Sequence, residues 1–163
     1  MKRIIMMVLK NILFVPWGWF MLNKYAANVD RYTEGERYAL LKKIDHKANV
    51  GGNITVKSYG VENIPNENGF MFYPNHQGLY DVLAIIDTCP RLFSVVMKKE
   101  LKDIFFLKQV FQIMGAYALD REDVKQAMRV MVQVTKEVKS GRNYLIFAEG
   151  TRTKNPNHVN EFK

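Results

Sequence analysis

The sequence predicts an α/β fold: a mostly parallel sheet covered by helices, preceded by an N-terminal amphipathic helical membrane-anchoring region. Three observations carry this reading. From Ile54 onward, short β-branched and aromatic runs alternate with helix-length segments, the pattern of a sheet with helical cover. The polar motifs fall just after those runs, at the C-terminal ends of predicted strands, where open α/β sheets bind ligands. Met1 to Leu22 is the most apolar part of the chain, and Lys2 and Arg3 open it.

Taken in order, the N-terminal segment runs from Ile4 to Leu9, breaks at Lys10-Asn11, and resumes from Ile12 to Leu22 around Pro16. A simple spanning helix needs about 20 apolar residues, and these breaks make a clean span a poor fit. A cleaved signal peptide is opposed by the internal lysine, the two tryptophans and the lack of a good cleavage site. Trp17, Trp19 and Phe20 suit a headgroup boundary. The expectation is an anchor lying in one leaflet. Asn28 to Val50 reads as a polar helix or helical pair, with Tyr38, Leu41, Lys42, Asp45 and Ala48 at helical spacing. Up to Lys47 there are nine Lys/Arg against four Asp/Glu. Basic residues near an anionic leaflet contribute roughly 1 kcal/mol each. Gly51-Gly52 marks a boundary between an N-terminal helical region, 1–50, and an α/β domain, 51–163.

Ile54 to Tyr59 alternates like a half-buried strand. Phe70 to Tyr73, Leu92 to Met97, Ala116 to Leu119 and Asn143 to Phe147 are the further strands. Glu100 to Met114 carries apolar residues at helical spacing and stops at Gly115. Glu122 to Ser140 is the clearest helix, with Val124, Ala127, Met128, Met131, Val134, Thr135 and Val138 in one stripe before Gly141.

The 163 residues suffice for a domain with a real core. A formal charge of +8 and a pI near 9.5 favour polyanionic partners: nucleic acid, anionic lipid or phosphorylated substrates. The basic residues are scattered and no nucleic-acid signature accompanies them, so no nucleic-acid partner is expected. The single cysteine, Cys89, excludes an internal disulfide and reads as structural. Three histidines and one cysteine, widely spread, form no metal-binding pattern.

The stretch Asn75-His76-Gln77-Gly78-Leu79-Tyr80-Asp81 links a strand-like run to the start of a helix. Asp81 could bond one imidazole nitrogen of His76, fix the tautomer and leave the other nitrogen to take a proton. On spacing alone, a surface histidine beside a helix-starting aspartate is the commoner arrangement. Near the C-terminus, Phe147-Ala148-Glu149-Gly150-Thr151-Arg152-Thr153 again follows a strand. Arg152 offers a planar fork matched to phosphate oxygens, and Gly150 permits close backbone approach.

A His-x-x-x-x-Asp motif followed at this distance by Phe-x-Glu-Gly-Thr-Arg resembles the glycerolipid acyltransferases, and most closely the 1-acyl-glycerol-3-phosphate (lysophosphatidate) acyltransferase family. The resemblance runs from about Tyr59 to the end of the chain. It implies acyl transfer to a substrate alcohol, with His76 as general base and Asp81 orienting it. The arginine of the second motif, Arg152, and a lysine upstream are expected to hold the acceptor's phosphate. Lys98-Lys99-Glu100-Leu101 maps that lysine to Lys98, with Lys99 close behind. Asp120-Arg121 matches the end of the family's intermediate motif, making Arg121 a further acceptor-binding candidate. Glu149, Gly150 and Thr151 complete the expected substrate site, with Glu149 positioning Arg152 or a substrate hydroxyl. A backbone N–H near His76 or Gly150 would serve the oxyanion.

The implied acceptor is lysophosphatidic acid, and the implied donor is acyl-carrier protein or CoA thioester, with no cofactor. The setting would be the cytoplasmic face of the cell membrane. Another lysophospholipid, glycerol 3-phosphate, or a non-catalytic lipid-binding role are the alternatives. The chain departs from the family pattern at Gly78 and Thr153, where serine is usual, and at Ala148, where proline is usual. Tyr117 and Leu119 replace other apolar residues. The family's domain is expected to continue through further strands, so the chain reads as C-terminally incomplete.

Overall fold

A computed structural model describes residues 2–78 and 80–150 of the chain, with side chains from residue 5 onward. Four parallel strands form one sheet: β1 (Met71–Phe72), β2 (Ser94–Lys98), β3 (Tyr117–Leu119) and β4 (Tyr144–Ile146), in the order β1-β4-β2-β3. Val95 lies opposite Leu145, and Val96 opposite Tyr117 on the other side. The helices are α1 (Lys2–Lys10), α2 (Phe14–Ala27), α3 (Glu34–Gly51), α4 (Asp81–Thr88), α5 (Leu107–Met114) and α6 (Val124–Lys139).

Side chains alternate across the strands, so each strand feeds two cores. Phe72, Val95, Met97, Ala118 and Leu145 pack with α2 to α5 around Leu22, Leu40, Leu41, Ile86 and Ile113. Met71, Val96, Tyr117, Leu119, Tyr144 and Ile146 face α6 through Val130, Val134 and Val138. The two connections that move toward the β3 edge carry α4 and α5 on the first face. The return from β3 to β4 carries α6 on the second. All three crossovers therefore share one hand, as the rule for parallel strands demands.

Local chemistry sets the helix ends. Thr33 and Glu36 form a capping box at the start of α3. Asp123 accepts the Gln126 N–H at 2.9 Å and starts α6. Gly51 does more than end α3. Asn11 donates to the Met7 and Lys47 carbonyls at 2.8 and 2.9 Å, and a Cβ on Gly51 would meet the Asn11 amide at 2.2 Å. The absent side chain is what lets α1 sit against the end of α3.

Two sequence expectations are corrected. Residues 54–58 form no strand and pair with none among the described residues; their alternation records partial burial along an unpaired segment. The helix expected over Glu100 to Met114 is two pieces. A 3-10 turn covers Lys99–Leu101, and α5 begins only at Leu107, because Phe106 adopts φ 71°. Ile104 and Phe105 consequently face outward, although Leu101 and Phe111 reach the core as their spacing suggests. No described helix is long and apolar enough to cross a membrane.

Candidate active site

The C-terminal ends of β1 and β4 are neighbours in the sheet, and this adjacency brings two motifs distant in sequence to one place. His76 lies in the turn after β1, and Asp81 is the first residue of α4. His76 Nδ1 is 2.8 Å from Asp81 Oδ2. The same oxygen accepts the backbone N–H groups of Gln77 at 2.8 Å and Gly78 at 2.9 Å. Burial pushes the Asp81 carboxyl upward, but the Gly78 N–H, the His76 ring and the Gln77 N–H together hold it below the ordinary carboxylate range. An ionised Asp81 only accepts, so Nδ1 carries a proton, and in the neutral ring the lone pair is on Nε2. No described residue bonds Nε2. The His76 ring stacks on Phe147, with centroids 4.1 Å apart and planes 28° apart.

Glu149 is 1% exposed and accepts the His76 backbone N–H at 3.0 Å. Its carboxylate ties the loop after β4 to the loop after β1. It braces the main chain of the histidine; the sequence reading has it position Arg152 or a substrate hydroxyl, and Arg152 lies outside the described residues. Gly150 has φ 68°, a conformation that favours glycine. Its carbonyl accepts Arg121 Nη1 at 3.0 Å, and a Cβ there would meet the guanidinium at 2.3 Å. Arg121, exposed after β3, thus fixes the second-motif loop across the site.

Lys98 ends β2 and is partly buried, while exposed Lys99 pairs with Asp120 at 2.8 Å. His76, Asp81, Lys98, Arg121, Glu149 and Gly150 all lie at one edge of the sheet. Thr151 and Arg152 lie outside the described residues.

Of the backbone donors expected near His76 or Gly150 for an oxyanion, those of the described residues His76, Gln77, Gly78 and Gly150 are engaged within the protein. The His76 N–H goes to Glu149, those of Gln77 and Gly78 go to Asp81, and that of Gly150 goes to the Phe147 carbonyl at 3.0 Å. Turn residues at a motif spend their amides on the carboxylates that hold the turn.

Sequence reasoning missed a second polar group beside the site. Tyr80 donates to the Asn49 side-chain carbonyl, and the Asn49 amide donates to Asp87 at 3.3 Å. This fastens both ends of α4 to α3. Asp45, one turn before Asn49, is 4% exposed and its carboxyl oxygens have no hydrogen-bond partner among the described residues. Burial, with the nearby Asp87 charge, pushes its carboxyl up to about 7. Asn49 follows Asp45 at helical spacing, but nothing local announces that both face inward.

Comparison with known proteins bears on the family and the fold. The family model described as Acyltransferase matches residues 55–163. A 1-acyl-sn-glycerol-3-phosphate acyltransferase of Borreliella burgdorferi is 33% identical over 95 residues, covering 58% of this chain and 38% of the relative. One from Saccharomyces cerevisiae is 31% identical over 101 residues, covering 61% and 33%. One from Bacillus subtilis is 30% identical over 100 residues, covering 60% and 49%. The chain thus spans between a third and a half of the length of these relatives. The crystal structure of the 1-acyl-sn-glycerophosphate (LPA) acyltransferase PlsC from Thermotoga maritima superposes with a TM-score of 0.66 at 23% identity. That match covers 97% of this chain and 68% of the other, and it is a likeness of fold.

Proposed function

Since this chain belongs to the acyltransferase family, we propose that it transfers a fatty acyl group from an acyl thioester to the free hydroxyl of lysophosphatidic acid. The product is phosphatidic acid, a step of phospholipid synthesis. The observation that carries this is the His76–Asp81 pair. An imidazole is fixed in one tautomer by a carboxylate that three donors keep ionised, with its second nitrogen unbonded by any described residue. The family and the names of the relatives support the acceptor.

His76 Nε2 takes the proton of the acceptor hydroxyl as its oxygen attacks the thioester carbonyl. Asp81 stabilises the imidazolium so formed. The tetrahedral adduct collapses, the C–S bond breaks, and the leaving thiolate takes the proton back from His76. No protein nucleophile enters. General base catalysis of this kind typically supplies about 10²–10⁴-fold. Lys98 and Arg152 bind the acceptor phosphate, and Arg121 holds the Gly150 loop while presenting its remaining charge to the same group. The donor is acyl-carrier protein or CoA.

The enzyme works from the cytoplasmic face of the membrane, anchored in one leaflet by α1 and α2. Ile5, Val8, Leu9 and Phe20 are exposed on these helices, and Ile12 and Leu13 in the turn between them. Lys43 lies over the Trp17 ring at 4.4 Å, the pairing of cation and aromatic ring that a headgroup boundary favours.

Acceptor competition tests the reading. Labelled acyl thioester is offered with lysophosphatidic acid, glycerol 3-phosphate and lysophosphatidylcholine together. Label passes chiefly to phosphatidic acid. Preferred labelling of either other acceptor would assign a different substrate, and binding of all three without turnover would make the chain a lipid-binding module.

A further inference from the structure

The turn between the two pieces of the former helix candidate is built to hold apolar side chains in the open. Ile104, Phe105 and Phe106 are exposed, Phe105 to 77%. Phe106 has φ 71° and ψ −46°, a backbone conformation that a phenylalanine rarely adopts. Relaxing it into α would extend α5 backward and swing the preceding residues. The fold instead keeps the turn, with the Ile104 N–H on the Leu101 carbonyl and the Ile104 carbonyl taking the Lys108 N–H at 3.0 Å.

Phe105 points outward beside α2, its ring 4.7 Å from that of Trp19. Gln109 donates to Asn23 at 3.2 Å and ties α5 to the same helix. The exposed aromatic turn is therefore continuous with the exposed side of α2. Exposed Lys102, Asp103 and Lys108 flank it in the chain, and exposed Lys99, farther back beside Glu100, is paired with Asp120. Because the turn follows β2, it also stands at the strand-end edge that carries His76 and Glu149.

We propose that the Ile104–Phe106 turn is a second leaflet-inserting element, which meets the bilayer together with α1 and α2. The occupant is a lipid leaflet, because the exposed apolar tip adjoins α2, whose Val15, Trp17 and Phe20 are exposed as well. A protein partner of matching shape would have to bury Lys102, Asp103 and Lys108 beside the tip, whereas a headgroup layer keeps such charges solvated while the rings enter. The turn then sets the catalytic edge at the membrane, so that an acceptor lipid reaches His76 while its chains stay in the leaflet. This inference rests on the leaflet anchoring proposed above.

The test uses the full chain and phosphatidylcholine vesicles containing phosphatidylglycerol. A tryptophan reporter is made by Phe105→Trp with Trp17→Phe and Trp19→Phe, and vesicles carry brominated acyl chains. Reporter fluorescence is quenched on binding. In the otherwise unchanged chain, Phe105→Ser weakens vesicle binding about tenfold. Val132→Ser, on the α6 face of the sheet, changes it by less than about twofold. A bound reporter that brominated chains do not quench overturns the proposal and leaves the α1–α2 anchor standing. Failure of the unchanged chain to bind vesicles at all overturns the anchor and this inference together.

Discussion

The two ends of the sheet treat polar groups in opposite ways. At the N-terminal end, Arg142 donates to Glu34 at 2.9 Å, to Glu137 at 2.7 Å, to the Tyr144 hydroxyl at 2.8 Å and to the Met114 carbonyl at 2.9 Å. Glu137 also accepts from Tyr117, Gln133 and Tyr144. Asn143 joins the starts of β1 and β2 through Gly69, Phe70, Asn68 and Leu92. At the C-terminal end, Asp81 is saturated in the same manner and Glu149 braces a backbone amide, but the imidazole they serve keeps one nitrogen unbonded by any described residue. A polar network that satisfies all its members holds a fold together. One arranged to leave a single basic atom open at a surface edge can do chemistry.

Mutations should separate the two ends. His76→Ala lowers kcat by about 10²–10⁴-fold and leaves the thermal midpoint nearly unchanged, because the ring is partly exposed and carries no backbone. Glu137→Ala does the reverse. Removing one of Arg142's two carboxylates, and the acceptor that Tyr117, Gln133 and Tyr144 share, costs roughly 2–4 kcal/mol of stability, read by urea unfolding, while kcat per folded molecule is kept.

The same residue sets an acid limit. Burial would raise the Glu137 carboxyl, but the Tyr117 and Tyr144 hydroxyls, Gln133 and Arg142 hold it at about 2. Its contribution is present above the unfolded value near 4.5 and is lost as pH falls toward 2. Glu137→Gln should flatten unfolding free energy against pH in that window.

Gly150→Ala sharpens the comparison from the site end. Its positive φ and the contact with Arg121 predict a loss of about 1–2 kcal/mol in stability. Activity falls as well, since the Arg121 clasp must open. Activity equal to the unaltered chain would show that the clasp is not needed.

Asp45 is the smallest and most pH-specific case. Its folded-state value, about 7, lies above the unfolded 3.8, so its burden is nearly absent at pH 4, grows as pH rises toward 7 and is complete above it. Asp45→Asn therefore stabilises at pH 8 by roughly 1–3 kcal/mol and leaves pH 4 unchanged. A variant equally stabilised at both pH values would mean that the carboxyl titrates in the folded chain as it does in the unfolded one.

Periodicity located what depends on burial, and it failed where backbone geometry or distant packing decides. The stripe of α6 was legible because Val130, Val134 and Val138 face one sheet surface. The strands before both motifs were legible for the same reason. The break at Phe106 was not, since Ile104 and Phe105 continue a helical spacing that one residue's positive φ interrupts. The run over 54–58 has the alternation of a strand without a partner to pair with. His76 and Asp81 were readable as a pair because five residues at a helix start confine them. Glu149 meeting the His76 amide was not, because that contact depends on β1 and β4 becoming neighbours across 73 residues. Asn49 and Tyr80 depend on α3 lying against α4 and left no local signal.

The most direct test compares the unaltered chain with His76→Ala, following label from an acyl thioester into lysophosphatidic acid in mixed micelles. Lysophosphatidate binding to both is measured alongside. Phosphatidic acid formed by the unaltered chain, with the variant slower by about 10²-fold or more at equal lysophosphatidate affinity, is the predicted result. Equal turnover by both would contradict the assignment of His76 as the base.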